Sequence, residues 1–179
     1  MKTDAPTIRP ATEADIPAIA AIYARAVETT TGNFELTAPD TAEMTRRMRA
    51  LRAEGCPWLA AEVEGRFAGY AYAGRYRPRP AYRFAFEDSI YLAEGFRGRG
   101  VGSALLKALI AAAEAAGGRQ MIAVIGDSAS NPASVALHAR LGFTTAGRLP
   151  GVGWKAGGWR DTLLMQRALG AGEAEPPAE

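Results

Sequence analysis

The sequence predicts a mixed α/β fold in which a central sheet of about seven strands is flanked by helices. Two observations support this fold class. Four segments carry apolar residues at helical spacing, and seven others carry the alternating or continuous apolar pattern of strands. Their order is strand, two helices, three strands, helix, strand, helix and two strands. This order predicts a sheet with an antiparallel start and a parallel centre.

The first half of the chain is predicted to contain two helices followed by a β-hairpin. Thr12 and Asp15 form a capping-box pattern before the first helix, and Asp40 begins the second helix. Residues 64–66 supply the hairpin turn. The predicted elements are a strand at 7–11, a helix ending near 28, a loop over 29–39, a helix from 40 to near 55, and strands at 58–63 and 67–76.

The second half is predicted to contain the central strand and the parallel part of the sheet. The basic, proline-containing stretch 77–80 cannot lie inside a sheet, and two glycines at 117–118 end a helix. The predicted elements are strands at 82–92 and 120–125, helices at 101–116 and 131–141, a strand from 142, and a last strand at 159–167. We expect one domain over residues 1–170 and a polar, disordered tail over 171–179.

Composition excludes several classes of protein. The net charge of +2, with basic and acidic residues interspersed, gives no case for nucleic-acid binding. A lone cysteine, Cys56, excludes an internal disulfide and is typical of a reducing compartment. No apolar run reaches membrane-spanning length, and residues 1–10 lack the apolar core of a signal peptide. We therefore expect a cytoplasmic protein that binds no membrane.

The turn at residues 97–102, between the central strand and a helix, is the most informative stretch. It fits the pattern R-x-x-G-x-G. Its glycines allow a ligand close to the backbone, and the following helix offers unpaired N–H groups to an anion. A P-loop would need lysine where Val101 follows Gly100, and a dinucleotide fingerprint would need glycine at Ser103. A phosphate-binding loop of another kind is predicted, with an ordinary tight turn as the alternative.

This turn resembles the coenzyme A pyrophosphate loop of the GNAT family of N-acetyltransferases. The predicted element order matches that family over about residues 7 to 169. Within the family, the chain looks most like the phosphinothricin and methionine sulfoximine/sulfone acetyltransferases. The matching segments are residues 34–35, 79–82, 87–91, 98–102, 123–128 and 131–143, and the two tryptophan-containing segments at 152–155 and 157–162.

The resemblance implies acetyl-coenzyme A as co-substrate, with no metal. Backbone N–H groups around Tyr91 and Leu92 are expected to stabilise the oxyanion, and their strand to pair with the pantetheine arm. Asn131 is expected to contact the coenzyme or to cap its helix, and these roles are compatible. The full set of implied coenzyme-binding residues is Ile90, Tyr91, Leu92, Arg97, Gly98, Arg99, Gly100, Val101, Gly102, Ser103, Asn131 and Ser134.

Glu87 is the first catalytic candidate. An amine needs a base before it can attack, because it is mostly protonated at neutral pH. Glu87 lies in an otherwise apolar strand just before the turn, where burial raises a carboxyl pKa. In the resembling family a glutamate at this place is the catalytic base; the alternative is a solvent-facing strand residue. Strand alternation puts Asp88 on the opposite face, which makes it the weaker candidate.

His138 is the second catalytic candidate and the single histidine, which excludes a metal site built on several imidazoles. Many family members have tyrosine at this place, acting as acid toward the leaving thiolate, and the phosphinothricin-type members have histidine. An imidazole is a suitable donor for a thiolate. Help with deprotonation, orientation of the coenzyme and a purely structural role are the alternatives.

The resemblance also implies a small acceptor that is anionic at one end. Arg79 and Tyr82 match family positions near the acceptor, and an arginine can bind a carboxylate through two hydrogen bonds. Phe34 is expected to pack on the acceptor side chain and Glu35 to orient its ammonium. A solvated basic rim is expected at Arg75, Arg77 and Arg83, and a glycine-rich loop with Trp154 and Lys155 is expected to close the site, often across a dimer interface in this family.

The expected function is acetyl transfer to the α-amine of a small amino acid or analogue such as methionine sulfoximine, methionine sulfone or phosphinothricin. Direct attack in a ternary complex is favoured because Cys56 lies far from the candidate residues and no other thiol is present. Two alternatives remain. The acceptor could be another amine, a polyamine or a protein N-terminus, or the chain could be a non-catalytic acyl-coenzyme A sensor. A homodimer is expected from the family.

Overall fold

The computed structural model describes residues 5–177, which form a sheet and four α-helices. The strands are β1 (Thr7–Pro10), β2 (Trp58–Val63), β3 (Arg66–Arg75), β4 (Ala85–Leu92), β5 (Gln120–Gly126), β6 (Thr144–Lys155) and β7 (Gly158–Ala168). The helices are α1 (Ile16–Thr29), α2 (Thr41–Ala53), α3 (Val101–Ala115) and α4 (Pro132–Arg140).

The seven strands lie in the order β1-β2-β3-β4-β5-β7-β6. Only the β4–β5 pair is parallel among the pairs of the described sheet; the other neighbours are antiparallel. The parallel pair arises because α3 carries the chain from one end of the sheet back to the other. The predicted mixed α/β sheet with an antiparallel start and a parallel centre is confirmed.

Two hydrophobic cores cover the two faces of the sheet. On one face α3 buries Val101, Leu105 and Leu109 completely, as its predicted apolar stripe requires. On the other face the inner sides of α1 and α2 pack on aromatic residues of β2 and β3, among them Trp58 and Tyr70. The two faces of β4 therefore pack against different sets of residues.

β4 and β5 separate before either strand ends. Their pairing runs from Ala85 with Gln120 to Asp88 with Ala123, whereas β4 continues to Leu92. Beyond this point β4 remains paired with β3 on its other edge, through the pair of Leu92 with Gly69. Residues 89–92 and 124–126 therefore bound an opening in the sheet, the β4–β5 gap, along which backbone groups of β4 face no neighbouring strand.

Two predicted boundaries are wrong. The central strand was expected to begin at Tyr82, but Pro80–Tyr82 form a 3-10 turn with proline at its first position, and β4 begins at Ala85. The expected glycine-rich loop around Lys155 instead belongs to the twelve-residue strand β6. β6 accommodates its glycines through two register shifts against β7, one of them between Leu149 and Gly153.

The structure describes the chain up to residue 177. After β7 the chain forms turns, in which the Gly172 N–H donates to the Leu169 carbonyl. Residues 178–179 of the predicted disordered tail lie outside the described residues. Between residues 5 and 177 no helix is long and apolar enough to cross a membrane.

The packing of α3 predicts a large effect of one truncation. Leu109→Ala removes a fully buried side chain and should lower the free energy of unfolding by about 2–5 kcal/mol. Lys107→Ala, on the exposed side of the same helix, should change it by less than about 0.5 kcal/mol. Urea unfolding followed by circular dichroism measures both, and equal small losses would contradict this packing.

Candidate active site

The turn between β4 and α3 has the geometry of an anion-binding loop. Gly98 and Gly100 have φ angles of +75° and +81°, which L side chains rarely adopt. Gly100 is the N-cap of α3 and supplies no side chain to its first-turn N–H groups. A Cβ on either glycine would point into open space. The backbone donors are therefore accessible from outside, beside the exposed Arg97, and this arrangement fits a diphosphate.

The elements that carry the other predicted coenzyme residues meet beside this turn. A Cβ placed on Gly102 would lie 3.4 Å from Leu137 of α4 and 3.7 Å from Leu92 of β4. Three elements thus lie together: the start of α3 with residues 101–103, the end of β4 with residues 90–92, and α4 with Asn131 and Ser134. Asn131 is the N-cap of α4, yet its side chain makes no capping hydrogen bond within the described part of the chain, so its amide can bind a ligand.

Glu87 is half-buried in β4 opposite Gly74 of β3. Its carboxylate has no hydrogen bond or ion pair with any described residue. Burial raises its pKa above the ordinary value, the positive charge of Arg77 opposes this effect, and the charge of Asp88 adds to it. The direction agrees with the one expected from the sequence, and Arg77, which is predicted to belong to a solvated basic rim, also acts on this pKa.

His138 lies on the other side of β4. The side chain is buried in α4. Its Nε2 is 3.0 Å from Oδ2 of Asp88, and its Nδ1 is 2.8 Å from the Ser134 carbonyl oxygen. Burial lowers the pKa of His138, but the hydrogen bond and charge of Asp88 outweigh burial, so that the pKa is raised overall. Glu87 and His138 are thus not brought into contact. Asp88, which the sequence ranked below Glu87, is the residue that His138 contacts.

The acceptor-side candidates fall into two groups. Phe34 packs between two strand ends, since a Cβ on Gly126 or Gly153 would come within 2.8 Å or 2.5 Å of its ring. Oε1 of Glu35 accepts hydrogen bonds from the Tyr23 hydroxyl and from Arg47. The second group is Arg79, exposed before the 3-10 turn, and Tyr82, which packs edge-on against Tyr76. No hydrogen bond joins the two groups among the described residues.

A series of hydrogen bonds connects the β6–β7 hairpin to the loop at residues 30–39 and to β4. Lys155 is buried and its Nζ donates to the Asn33 carbonyl at 2.6 Å. Burial lowers the pKa of Lys155, and the charge of Glu35 opposes this. The Asn33 amide donates in turn to the Tyr91 hydroxyl at 3.1 Å. Asn33 is not among the residues predicted from the sequence, where its only signal is its position beside Phe34.

A cavity of about 260 Å³ lies between α2 and the sheet. It lies on the Glu87 side of the sheet, because Tyr72 in its wall pairs with Ser89 of β4, and Ser89 shares a strand face with Glu87. No residue of α2 is among the site residues predicted from the sequence. The lining residues are Tyr23, Met44, Arg46, Arg47, Ala50, Leu51, Trp58 and Tyr72.

Residues 5–177 contain no group of three or more His, Cys, Asp or Glu side chains that could hold a metal ion.

Comparisons with known proteins agree with this geometry. Residues 19–143 match the family described as the acetyltransferase (GNAT) family. A phosphinothricin N-acetyltransferase of Alcaligenes faecalis is 51% identical over 171 residues, covering 96% of this chain and 86% of that protein. An L-methionine sulfoximine/L-methionine sulfone acetyltransferase of Pseudomonas aeruginosa is 40% identical, covering 95% and 98%. A GNAT superfamily phosphinothricin acetyltransferase from Sinorhizobium meliloti, solved in complex with acetyl-CoA, superposes with a TM-score of 0.94 at 46% identity, covering 97% and 94%.

Two glycines of equal strain test the anion-binding turn. Gly100→Ala and Gly117→Ala both force alanine into a left-handed conformation, at φ +81° and +83°, in open space at opposite ends of α3. Each should cost about 1–2 kcal/mol of stability. Only Gly100→Ala should weaken coenzyme A binding, by tenfold or more in calorimetry, because its methyl group faces the ligand. Equal affinities in the two variants would rule out this turn as the pyrophosphate site.

Proposed function

Because the chain belongs to the GNAT family of acetyltransferases, we propose that it transfers the acetyl group of acetyl-coenzyme A to the α-amine of a small amino acid or amino-acid analogue. Phosphinothricin, methionine sulfoximine and methionine sulfone are the leading acceptors, since they appear in the names of its relatives. The observation that carries the proposal is the half-buried carboxylate of Glu87, which has no partner among residues 5–177 and lies one residue before β4 and β5 separate.

Residues of the turn, of β4 and of α4 would hold the coenzyme. N–H groups of the turn and of the first turn of α3 would bind the pyrophosphate, assisted by Arg97. The open edge of β4 over residues 89–92 would pair with the pantetheine arm as an added strand does. Backbone N–H groups near Tyr91 and Leu92 would then stabilise the negative charge that develops on the thioester oxygen. Asn131 would contact the coenzyme from the start of α4.

Transfer requires three proton movements. The ammonium of the bound acceptor gives a proton to Glu87, its nitrogen attacks the carbonyl carbon, and the new C–N bond forms as the C–S bond breaks. The acylated nitrogen then releases its second proton to solvent, and the departing thiolate takes up one. An acyl-cysteine intermediate is disfavoured, because Cys56 is buried and burial raises the pKa of its thiol. Direct attack in a ternary complex follows.

The acceptor would lie on the Glu87 face of the sheet. Arg79 and Tyr82 would bind its anionic end, and Phe34 would pack on its side chain. Glu35, already neutralised by Arg47, would orient the ammonium through its remaining oxygen. Acetylation removes the positive charge of the α-amine, a group by which an analogue is recognised as an amino acid. We therefore propose that detoxification of such an analogue is one use of the reaction.

The exposed surface of the β6–β7 hairpin supports a homodimer. Val152, Trp154 and Trp159 are 54%, 57% and 68% exposed, a concentration of large apolar side chains that a monomer rarely leaves in water. A second copy of the chain would cover them and complete the wall of the site.

Reduced Cys56 is in keeping with a cytoplasmic location.

A screen of acceptors tests the activity. Thiol release from acetyl-coenzyme A should be fast with phosphinothricin or methionine sulfone and slow with a polyamine or a peptide bearing a free N-terminus. A preference for either of the last two would replace the proposed acceptor class. Tight coenzyme binding without turnover on any of these amines would favour the sensor.

Substitution of Glu87 tests the base. Glu87→Gln should lower kcat by about 10²–10⁴-fold with little change in coenzyme affinity. Wild-type activity should rise with pH through the raised pKa of Glu87, and the variant should lack this acid limb. Because that raised pKa disfavours the charged form in the fold, stability is lost as pH rises through it. The variant should therefore melt no lower than wild type at neutral pH.

Glu28→Gln is the matched control, since Glu28 is exposed on α1. It should retain the kcat and the pH profile of the wild type. An unchanged profile in Glu87→Gln would exclude Glu87 as the base.

Substitution of Trp159 tests the dimer. Trp159→Lys places a charge on the exposed hairpin surface and should halve the mass measured by light scattering, because a buried unpaired ammonium is costly. Trp159→Phe keeps the apolar surface and should stay dimeric. A wild-type protein that is monomeric at micromolar concentration would refute the assembly.

A further inference from the structure

Both ring nitrogens of His138 are already bonded. The Ser134 carbonyl, 2.8 Å from Nδ1, can only accept, so Nδ1 carries a hydrogen. Nε2 faces Oδ2 of Asp88 at 3.0 Å. At that distance one proton must lie between them, because two lone pairs would repel. His138 is therefore held with hydrogens on both nitrogens when Asp88 is ionised.

The pair is shielded from water. The side chains of His138 and Asp88 are 5% and 2% exposed, and the ring of Phe143 packs edge-on against the imidazole. Asp88 is the sole charged side chain in contact with His138 in the part of the chain that the structure describes. A buried carboxylate requires a charged partner, and the imidazolium supplies it. Oδ1 of Asp88 has no hydrogen-bond partner among the described residues.

The pair lies where the sheet opens. Asp88 is the last residue of β4 that pairs with β5, and His138 reaches it from α4, the helix whose Leu137 packs beside the start of α3. The imidazole thus borders the β4–β5 gap at its closed end, on the side of the sheet opposite Glu87. The two candidate proton-transfer groups are separated by the backbone of β4.

We propose that Asp88 is a positioning residue that fixes His138 as the proton donor for the departing thiolate. This inference rests on the proposed acetyl transfer. When the C–S bond breaks, the Nε2–H leaves its hydrogen bond with Oδ2 of Asp88 and its proton passes to the sulfur, and the ring becomes neutral while Nδ1–H stays on the Ser134 carbonyl. The lone pair of Nε2 then faces the Asp88 carboxylate. This repulsion favours return of a proton from solvent, which restores the donor for the next turnover.

The single histidine allows a test that does not depend on activity. In untagged protein labelled with ¹⁵N-histidine, every imidazole signal belongs to His138. The wild type should show the imidazolium pattern at pH 7 and titrate above the ordinary histidine pKa. Asp88→Asn keeps the shape but offers an amide N–H to Nε2, so its ring should be neutral at pH 7 with the hydrogen on Nδ1. A neutral wild-type ring at pH 7 would overturn the proposal, even if the variant did not fold.

Kinetics test the role. A donor must be protonated, so wild-type kcat should fall as pH rises through the raised pKa of His138. In Asp88→Asn this alkaline limb should move to lower pH, and kcat at pH 8 should fall about 10²-fold with an unchanged KM for acetyl-coenzyme A. Asp15→Asn, a buried aspartate beside β1, should keep the wild-type limb.

The two proposals can fail separately. An alkaline limb that stays in place in Asp88→Asn would overturn the positioning role while leaving acetyl transfer intact. Absence of turnover in the wild type would refute the proposed function, and the ¹⁵N signals would still decide whether Asp88 sets the charge of His138.

Discussion

The site depends on the early separation of β4 from β5. Parallel pairing ends at Asp88 and Ala123, while β3 keeps the remaining residues of β4 in line from the other edge. Unpaired backbone groups inside a protein are costly unless a ligand or water satisfies them. The β4–β5 gap therefore creates a row of N–H and C=O groups that a strand-like ligand can bind. The glycine turn that follows β4 adds N–H donors in the same region.

The pleat of β4 then divides the chemistry between its two faces. Consecutive strand residues point to opposite sides, so Glu87 faces the α1–α2 side and Asp88 the α4 side. The first carboxylate is unpaired among the described residues and suits removal of a proton; the second is paired with an imidazole that can return one. A transferring acetyl group in the gap would lie between the two. In the proposed mechanism one strand thus supplies opposite proton transfers, while its backbone keeps the two groups apart.

The sequence predicted those features that have local signatures. Periodicity predicted the sheet and helices, and the glycine turn predicted an anion-binding loop, because each is encoded within about twenty residues. The extent of β6 was wrong since its strand character comes from pairing with β7 despite four intervening glycines and prolines. The contacts of His138 with Asp88 and of Lys155 with Asn33 join residues 50 and 122 positions apart. No local pattern indicates such pairs, so Asp88 was set aside and Asn33 was missed.

A crystal structure with bound coenzyme A tests the central claim most directly. We expect the pantetheine arm to occupy the β4–β5 gap and to pair with residues 89–92, with the pyrophosphate on the turn before α3. The sulfur should lie between the Glu87 and His138 sides of β4. A coenzyme bound elsewhere, or a gap filled by protein when the coenzyme is bound, would contradict the account.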